Sequence, residues 1–92
     1  MKIIKTSTQF RKDLKRYKHK PLKLQALKQI LEMLEYEKPI PSECHPHMLK
    51  GEYKGCMECH IEDDFLIIWF DEKNNVIELV RLGTHSELFK NN

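Results

Sequence analysis

Phe65-Leu66-Ile67-Ile68-Trp69-Phe70 is apolar at every position, and this run decides the fold. Successive side chains on a strand point to opposite faces, so a strand that is apolar throughout needs cover on both and belongs in the middle of a sheet. Turn chemistry flanks it, with Glu62-Asp63-Asp64 before and Asp71-Glu72-Lys73-Asn74-Asn75 after. Two further strand-like stretches, 53–61 and 76–82, lie beyond these turns, and the three together predict an antiparallel meander. Upstream, 39–51 holds Pro39, Pro41, Ser42, Pro46 and Gly51 with no period of either kind, which reads as a loop of about a dozen residues.

The first forty residues read as helical. Leu24, Leu27, Ile30, Leu31 and Leu34 repeat at helical spacing, Pro21 suits the first helical position, and Lys38-Pro39 stops the pattern, which predicts a helix over 21–37. Phe10, Leu14 and Tyr17 fall at i, i+4 and i+7 behind the capping cluster Thr6-Ser7-Thr8, so a first helix of about three turns follows a short strand at 2–5. Gly83 ends the last strand, and Thr84-His85-Ser86-Glu87 has capping-box spacing ahead of Leu88 and Phe89. The expected architecture is α+β, one domain over 1–92, β-α-α-β-β-β, with an antiparallel sheet packed on a two-helix hairpin and a short C-terminal helical turn.

Ninety-two residues suffice for one modest core. The longest apolar run is far short of the roughly 20 residues that span a bilayer, and the first residues lack a signal-peptide h-region, so a cytoplasmic protein without a membrane partner is expected. Cys44, Cys56 and Cys59 are an odd number and are expected to be reduced thiols. The formal charge of +2 hides an asymmetry. Residues 1–30 carry ten Lys and Arg against the single acid Asp13, a net of +9, so the rest of the chain must sum to −7. Such a segment either solvates the outer faces of two helices or attracts a polyanion, nucleic acid first.

Groups suited to acid–base chemistry gather at the edges of the meander: His47 in the loop, Glu58 and His60 on its first strand, Asp64 at its first turn and His85 after its last strand. Strand alternation puts Cys56, Glu58 and His60 on one face, with Glu58 and His60 about 7 Å apart, and places Arg81 on the side of Ile77 and Leu79. Phosphodiester cleavage needs a base, an acid and a fixed positive charge, and histidines beside a cation on a sheet rim can supply all three. Each residue alone has a plainer reading: imidazoles cap and pack, Glu58 and His60 can be a surface pair, and Arg81 can serve a carboxylate. Two other patterns are set aside. Cys56-Met57-Glu58-Cys59-His60 matches the c-type haem motif, and Cys44, His45, His47, Cys56, Cys59 and His60 make a zinc set on paper. Residues three apart on a strand face opposite ways, so Cys56 and Cys59 cannot grip one metal, and no cofactor or metal is expected.

The C-terminal half adds a resemblance. His47-Met48-Leu49-Lys50-Gly51, Tyr53-Lys54-Gly55, Glu58-Cys59-His60-Ile61, Asp64-Phe65-Leu66-Ile67-Ile68 and Arg81-Leu82-Gly83-Thr84-His85-Ser86-Glu87-Leu88-Phe89 resemble, in order and spacing, the YafQ branch of the RelE-like toxins. It is motif-specific over 46–89; residues 1–40 match only in the strand and two basic helices. It implies the toxin of a type II toxin-antitoxin system, a ribosome-dependent endoribonuclease that cuts mRNA in the 30S A site and is paired with a cognate antitoxin. By the same resemblance, His47 and His60 contact the scissile phosphate, and Asp64 and His85 move protons. His85 would be the general acid on the 5′ leaving oxygen, Asp64 or His60 the base on the 2′-hydroxyl, Arg81 the phosphate cation, and Phe89 a stacking platform. Glu58 would orient His60. Lys12, Lys15, Arg16, Lys50 and Lys54 would meet RNA or the ribosome. Many relatives carry Asp where Glu58 stands and Trp or another apolar residue where Phe65 stands, and neither change removes a required group. Two alternatives remain: a non-catalytic ParE-like toxin, and an RNA-binding regulatory module of the same fold.

Overall fold

The computed structural model describes residues 1–89. Its strands are β1 (Ile3–Thr6), β2 (His47–Met48), β3 (Met57–Glu62), β4 (Phe65–Asp71) and β5 (Val76–Gly83), and its helices are α1 (Thr8–Lys15), α2 (Pro21–Glu35) and α3 (His85–Leu88), with 3-10 turns at Ser42–Cys44 and Gly51–Tyr53. The strands form one sheet in the order β1-β5-β4-β3-β2, with β4 in the middle. Phe65, Ile67 and Trp69 pack on one face against Phe10, Tyr17, Leu27, Ile30 and Leu34 from the helical side. Leu66 and Ile68 pack on the other against Leu88, Leu49, Tyr53, Cys56, Val80 and Phe89. Full burial of a large apolar side chain contributes about 2 kcal/mol, so covering β4 on both faces is the main driving force of the fold. Phe70 lies beyond the cover and is exposed.

The α+β class and the meander follow the sequence reading, though the first meander strand starts at Met57 and Tyr53 lies in a 3-10 turn; three further differences concern the sheet. β1 pairs with β5 in parallel, from Ile3 beside Val76 to Thr6 beside Leu79, so the sheet is mixed. Tight turns fix direction only within the meander, and β1 lies outside it. The loop carries β2, which pairs antiparallel with β3 through His47 opposite Glu58 and Met48 opposite Met57. Two residues are too few to show a period. The third difference is a bulge in β5: Ile68 faces Arg81, but the next residue, Trp69, faces Leu79. Val80 is therefore extra, and Arg81 projects to the face of Ile68, opposite to Ile77 and Leu79, against the simple alternation expected.

Beyond Leu79 the edge of β5 has no strand beside it, and the start of the helical hairpin takes that place. Ser7 caps α1 by accepting from Phe10 N at 2.9 Å, and its Oγ donates to the Val80 carbonyl at 2.9 Å. Asp13, fully buried, accepts from Leu82 N at 2.9 Å, from Arg81 Nε at 2.8 Å and Nη2 at 3.3 Å, and from Gln9 Nε2 at 3.1 Å. Burial pushes this carboxyl up, but the bonds from Arg81, Leu82 and Gln9 outweigh it and hold its pKa below the ordinary value. A depressed carboxyl stabilises the fold above its unfolded pKa, and that contribution is lost as pH falls through the folded value. Asp13→Asn leaves Arg81 without its counter-ion and is expected to lose about 3 kcal/mol at neutral pH. The difference from wild type should shrink in acid, where Asp13 is itself protonated. Urea unfolding at the two pH values measures both, and equal stability at neutral pH would show that the pair is dispensable.

Candidate active site

The two-residue turn between β3 and β4 holds Asp64 in the left-handed region, φ 47°. Its Oδ1 accepts both the backbone N–H of His85, at 2.8 Å, and the ring Nδ1, at 2.9 Å. The backbone bond first, and the ring bond second, hold the Asp64 carboxyl below its ordinary range. An ionised carboxylate only accepts, so Nδ1 of His85 carries a hydrogen and Nε2 is left free of this bond. Thr84 caps α3, with its Oγ1 accepting from Glu87 N at 3.2 Å while Glu87 Oε1 accepts from Thr84 N at 2.9 Å. The capping box read from the sequence thus places His85 as the first residue of the helix.

Four rings stand in a row across this face. His45 and His60 are 5.8 Å apart between centroids, His60 and His85 5.4 Å, and His85 and Phe89 6.2 Å. Tyr53 closes the Phe89 end, with its ring 5.7 Å from that of Phe89. His47 stands beside the row, held from both nitrogens: Nδ1 bonds the His45 carbonyl at 2.7 Å and Nε2 lies 3.2 Å from Glu58 Oε1. Glu58 is buried, and its Oε2 has no hydrogen-bond partner. The sequence reading gave Glu58 to His60, two residues along the same face. The structure gives it to His47 instead, because β2 lays His47 directly opposite it, and directly opposed residues approach more closely than i, i+2 neighbours.

Arg81 reaches this side through the Val80 bulge. Its Nη1 donates to Tyr53 Oη at 2.9 Å, while Nε and Nη2 hold Asp13. Bonding to Asp13 first among the causes keeps its pKa raised. Three of the five guanidinium N–H groups are engaged, which leaves two for an anion. Arg81 is therefore the partner of a buried carboxylate, the plainer of the two readings that the sequence left open.

The structure thus gathers His47, Glu58, His60, Asp64, Arg81, His85 and Phe89 into one neighbourhood. Lys50 and Lys54 are exposed around the Gly51–Tyr53 turn, next to Tyr53. Lys12 and Lys15 are exposed on α1 and make no contact with the histidines, and Arg16 is drawn 3.6 Å from Glu87 and 3.7 Å from Asp13. Sequence reasoning missed His45, which it weighed only as a zinc ligand, Tyr53, whose phenol spans Arg81 and the Leu88 carbonyl, and Asp13. Asp13 did carry a signal, as the only acid among ten bases. Cys56 packs on the histidine face and Cys59 in the opposite core, as alternation requires.

Residues 2–90 match the family described as bacterial toxin of type II toxin-antitoxin system, YafQ. The chain is 30% identical over 87 residues to the mRNA interferase toxin YafQ of Escherichia coli, covering 94% of each. Among solved structures, the E. coli DinJ-YafQ complex contains a chain matched at TM-score 0.85 and 29% identity, over 97% of this chain and 99% of that one. A metal-bound toxin from Helicobacter pylori matches at TM-score 0.85 and 39% identity, over 97% and 100%. Among the described residues here no three His, Cys, Asp or Glu side chains are grouped to hold a metal ion, and Asp64 and Glu58 already hold His85 and His47. Fold, motif order and matches over nearly the whole length agree: the chain belongs to the YafQ family of toxins of type II toxin-antitoxin systems.

Proposed function

We propose that this toxin is an endoribonuclease that cuts mRNA, as the name of its E. coli relative says of that protein, and that it does so in the ribosomal A site. The observation that carries the reading is the Asp64–His85 pair. It holds the His85 ring by Nδ1 and leaves Nε2 free of that bond, with the His60 ring 5.4 Å away between centroids and Arg81 on the same face of the sheet. A base removes the proton of the 2′-hydroxyl, O2′ attacks phosphorus, the bond to O5′ breaks, and an acid protonates O5′. The products are a 2′,3′-cyclic phosphate and a 5′-hydroxyl, and the reaction so written uses no metal.

The geometry favours His60 over Asp64 as the base, because Asp64 Oδ1 already accepts two hydrogens from His85. His85 is the acid. Arg81 offers its two unengaged N–H groups to the phosphate, and His47 joins by exchanging Glu58 for a phosphate oxygen. Phe89 stacks on a base. Lys50 and Lys54 beside the site and Lys12, Lys15 and half-exposed Arg16 on the α1 side provide the field that attracts RNA and the ribosome. A cognate antitoxin is the expected partner, as DinJ is of the E. coli relative, and covering the same basic face would exclude the ribosome. Among the described residues no helix is long and apolar enough to cross a membrane, in keeping with action at the ribosome in the cytoplasm.

Induced expression of wild type is expected to arrest growth and to leave new mRNA 5′ ends in frame, with neither effect in His85→Ala. Arrest that persists in the variant, or arrest without new ends, would move the assignment to a ParE-like binding toxin. Asp64→Ala frees the His85 ring and is expected to lower the cleavage rate on the order of 100-fold, the scale of a misplaced general acid. Timed cleavage of a short mRNA on programmed ribosomes reads this, and a wild-type rate would remove Asp64 from the mechanism.

A further inference from the structure

His85 stands on a four-residue helix, too short to be rigid by itself. Something else must set the position of its ring. One support is Asp64. The other begins at Glu87, whose Oε1 accepts from Thr84 N at 2.9 Å and also from the hydroxyl of Tyr17 at 2.9 Å, across 70 positions of sequence. Tyr17 is buried just past the end of α1, with its ring 4.7 Å from that of Phe65 in the core. Burial first and the bond to Glu87 second push its phenol up to about 12, so it remains a donor throughout the working pH range. Arg16 adds a charge contact to Glu87 Oε2 at 3.6 Å. Gly83 completes the arrangement, since a Cβ there would stand 2.5 Å from Glu87 Oε1.

We infer that Glu87, anchored to the core by Tyr17, is a positioning residue for His85, so that the end of the helical hairpin sets the placement of the general acid. The inference rests on the endoribonuclease reading above and extends it. Tyr17 touches the rigid core on one side and the His85 helix on the other, and Glu87 bonds the residue immediately before His85. The capping function alone needs only Thr84 and Glu87. The bond from Tyr17 adds nothing to the cap, but it locates the cap relative to the sheet that carries His60 and Asp64. Misplacing a reacting group by about 1 Å costs on the order of 100-fold in rate.

The test is single-turnover cleavage of a short mRNA on programmed ribosomes, with toxin concentration varied, for wild type, Tyr17→Phe, Glu87→Ala, Glu87→Gln and His85→Ala. Thermal unfolding of each identifies those folded at the assay temperature. Tyr17→Phe and Glu87→Ala are expected to lower the maximal rate by about 10-fold to 100-fold with unchanged half-saturation. Glu87→Gln keeps an acceptor for Thr84 N and the Tyr17 hydroxyl and should recover most of the rate. Tyr17→Phe removes one oxygen from a filled core site, so it tests the inference even if Glu87→Ala fails to fold. Wild-type rates in Tyr17→Phe, an effect confined to half-saturation, or Glu87→Gln as slow as Glu87→Ala would each overturn the positioning role while His85→Ala stayed inactive. Full activity of His85→Ala would instead overturn the endoribonuclease reading itself.

Discussion

The buried carboxylate of Asp13 joins the two halves of the molecule. β1 accompanies β5 only as far as Leu79, and the remaining rim of β5 would otherwise present an unpaired N–H at Leu82 and an unpaired carbonyl at Val80. Ser7 and Asp13, one turn and a half apart, take these two groups. The start of the hairpin thereby acts as a missing strand, and buried backbone polar groups are satisfied where sheet pairing stops. Because the same carboxylate also holds Arg81, the contact that docks α1 is the contact that aims the cation.

The site is built on the same plan of acceptors holding donors. Asp64 holds His85, Glu58 holds His47, Asp13 holds Arg81 and Glu87 holds the residue before His85. His85, His47 and Arg81 each have a carboxylate behind them, which fixes their orientation in advance. Glu58 shows the cost of the plan, since its Oε2 is buried without a donor. Such a group costs about 1–3 kcal/mol.

Much of this was legible in the sequence, and what was not shares a cause. Six apolar residues in a row placed β4 in the middle, and 3.6-residue spacing placed α2, because those signals repeat over several residues. The Thr84–Glu87 box was readable because its members are three residues apart. The Val80 bulge was not, because one extra residue leaves no composition signal, and it reversed the expected side of Arg81. β2 was too short to show alternation, so the pairing of His47 with Glu58 was hidden. Asp13 with Arg81 and Tyr17 with Glu87 join positions about seventy apart, where only the folded chain brings them together.

The position of Asp13 also changes how the charge of the first thirty residues should be understood. As the single acid among ten bases it could have tempered the surface, but it is fully buried and its charge is matched internally by Arg81. Lys2, Lys5 and Lys23 are paired with Asp71, Glu72 and Glu62 on the sheet. Among the described residues Lys12, Lys15, Lys18, Lys20 and Lys28 have no ion-pair partner, so the positive field is concentrated on the helical hairpin. Charges left unpaired on a surface cost little in stability, and they attract polyanions over roughly a Debye length of about 8 Å. Lys2, Lys5 and Lys23 are thereby engaged within the fold, while the five unpaired lysines keep their charge on the exposed side of the hairpin.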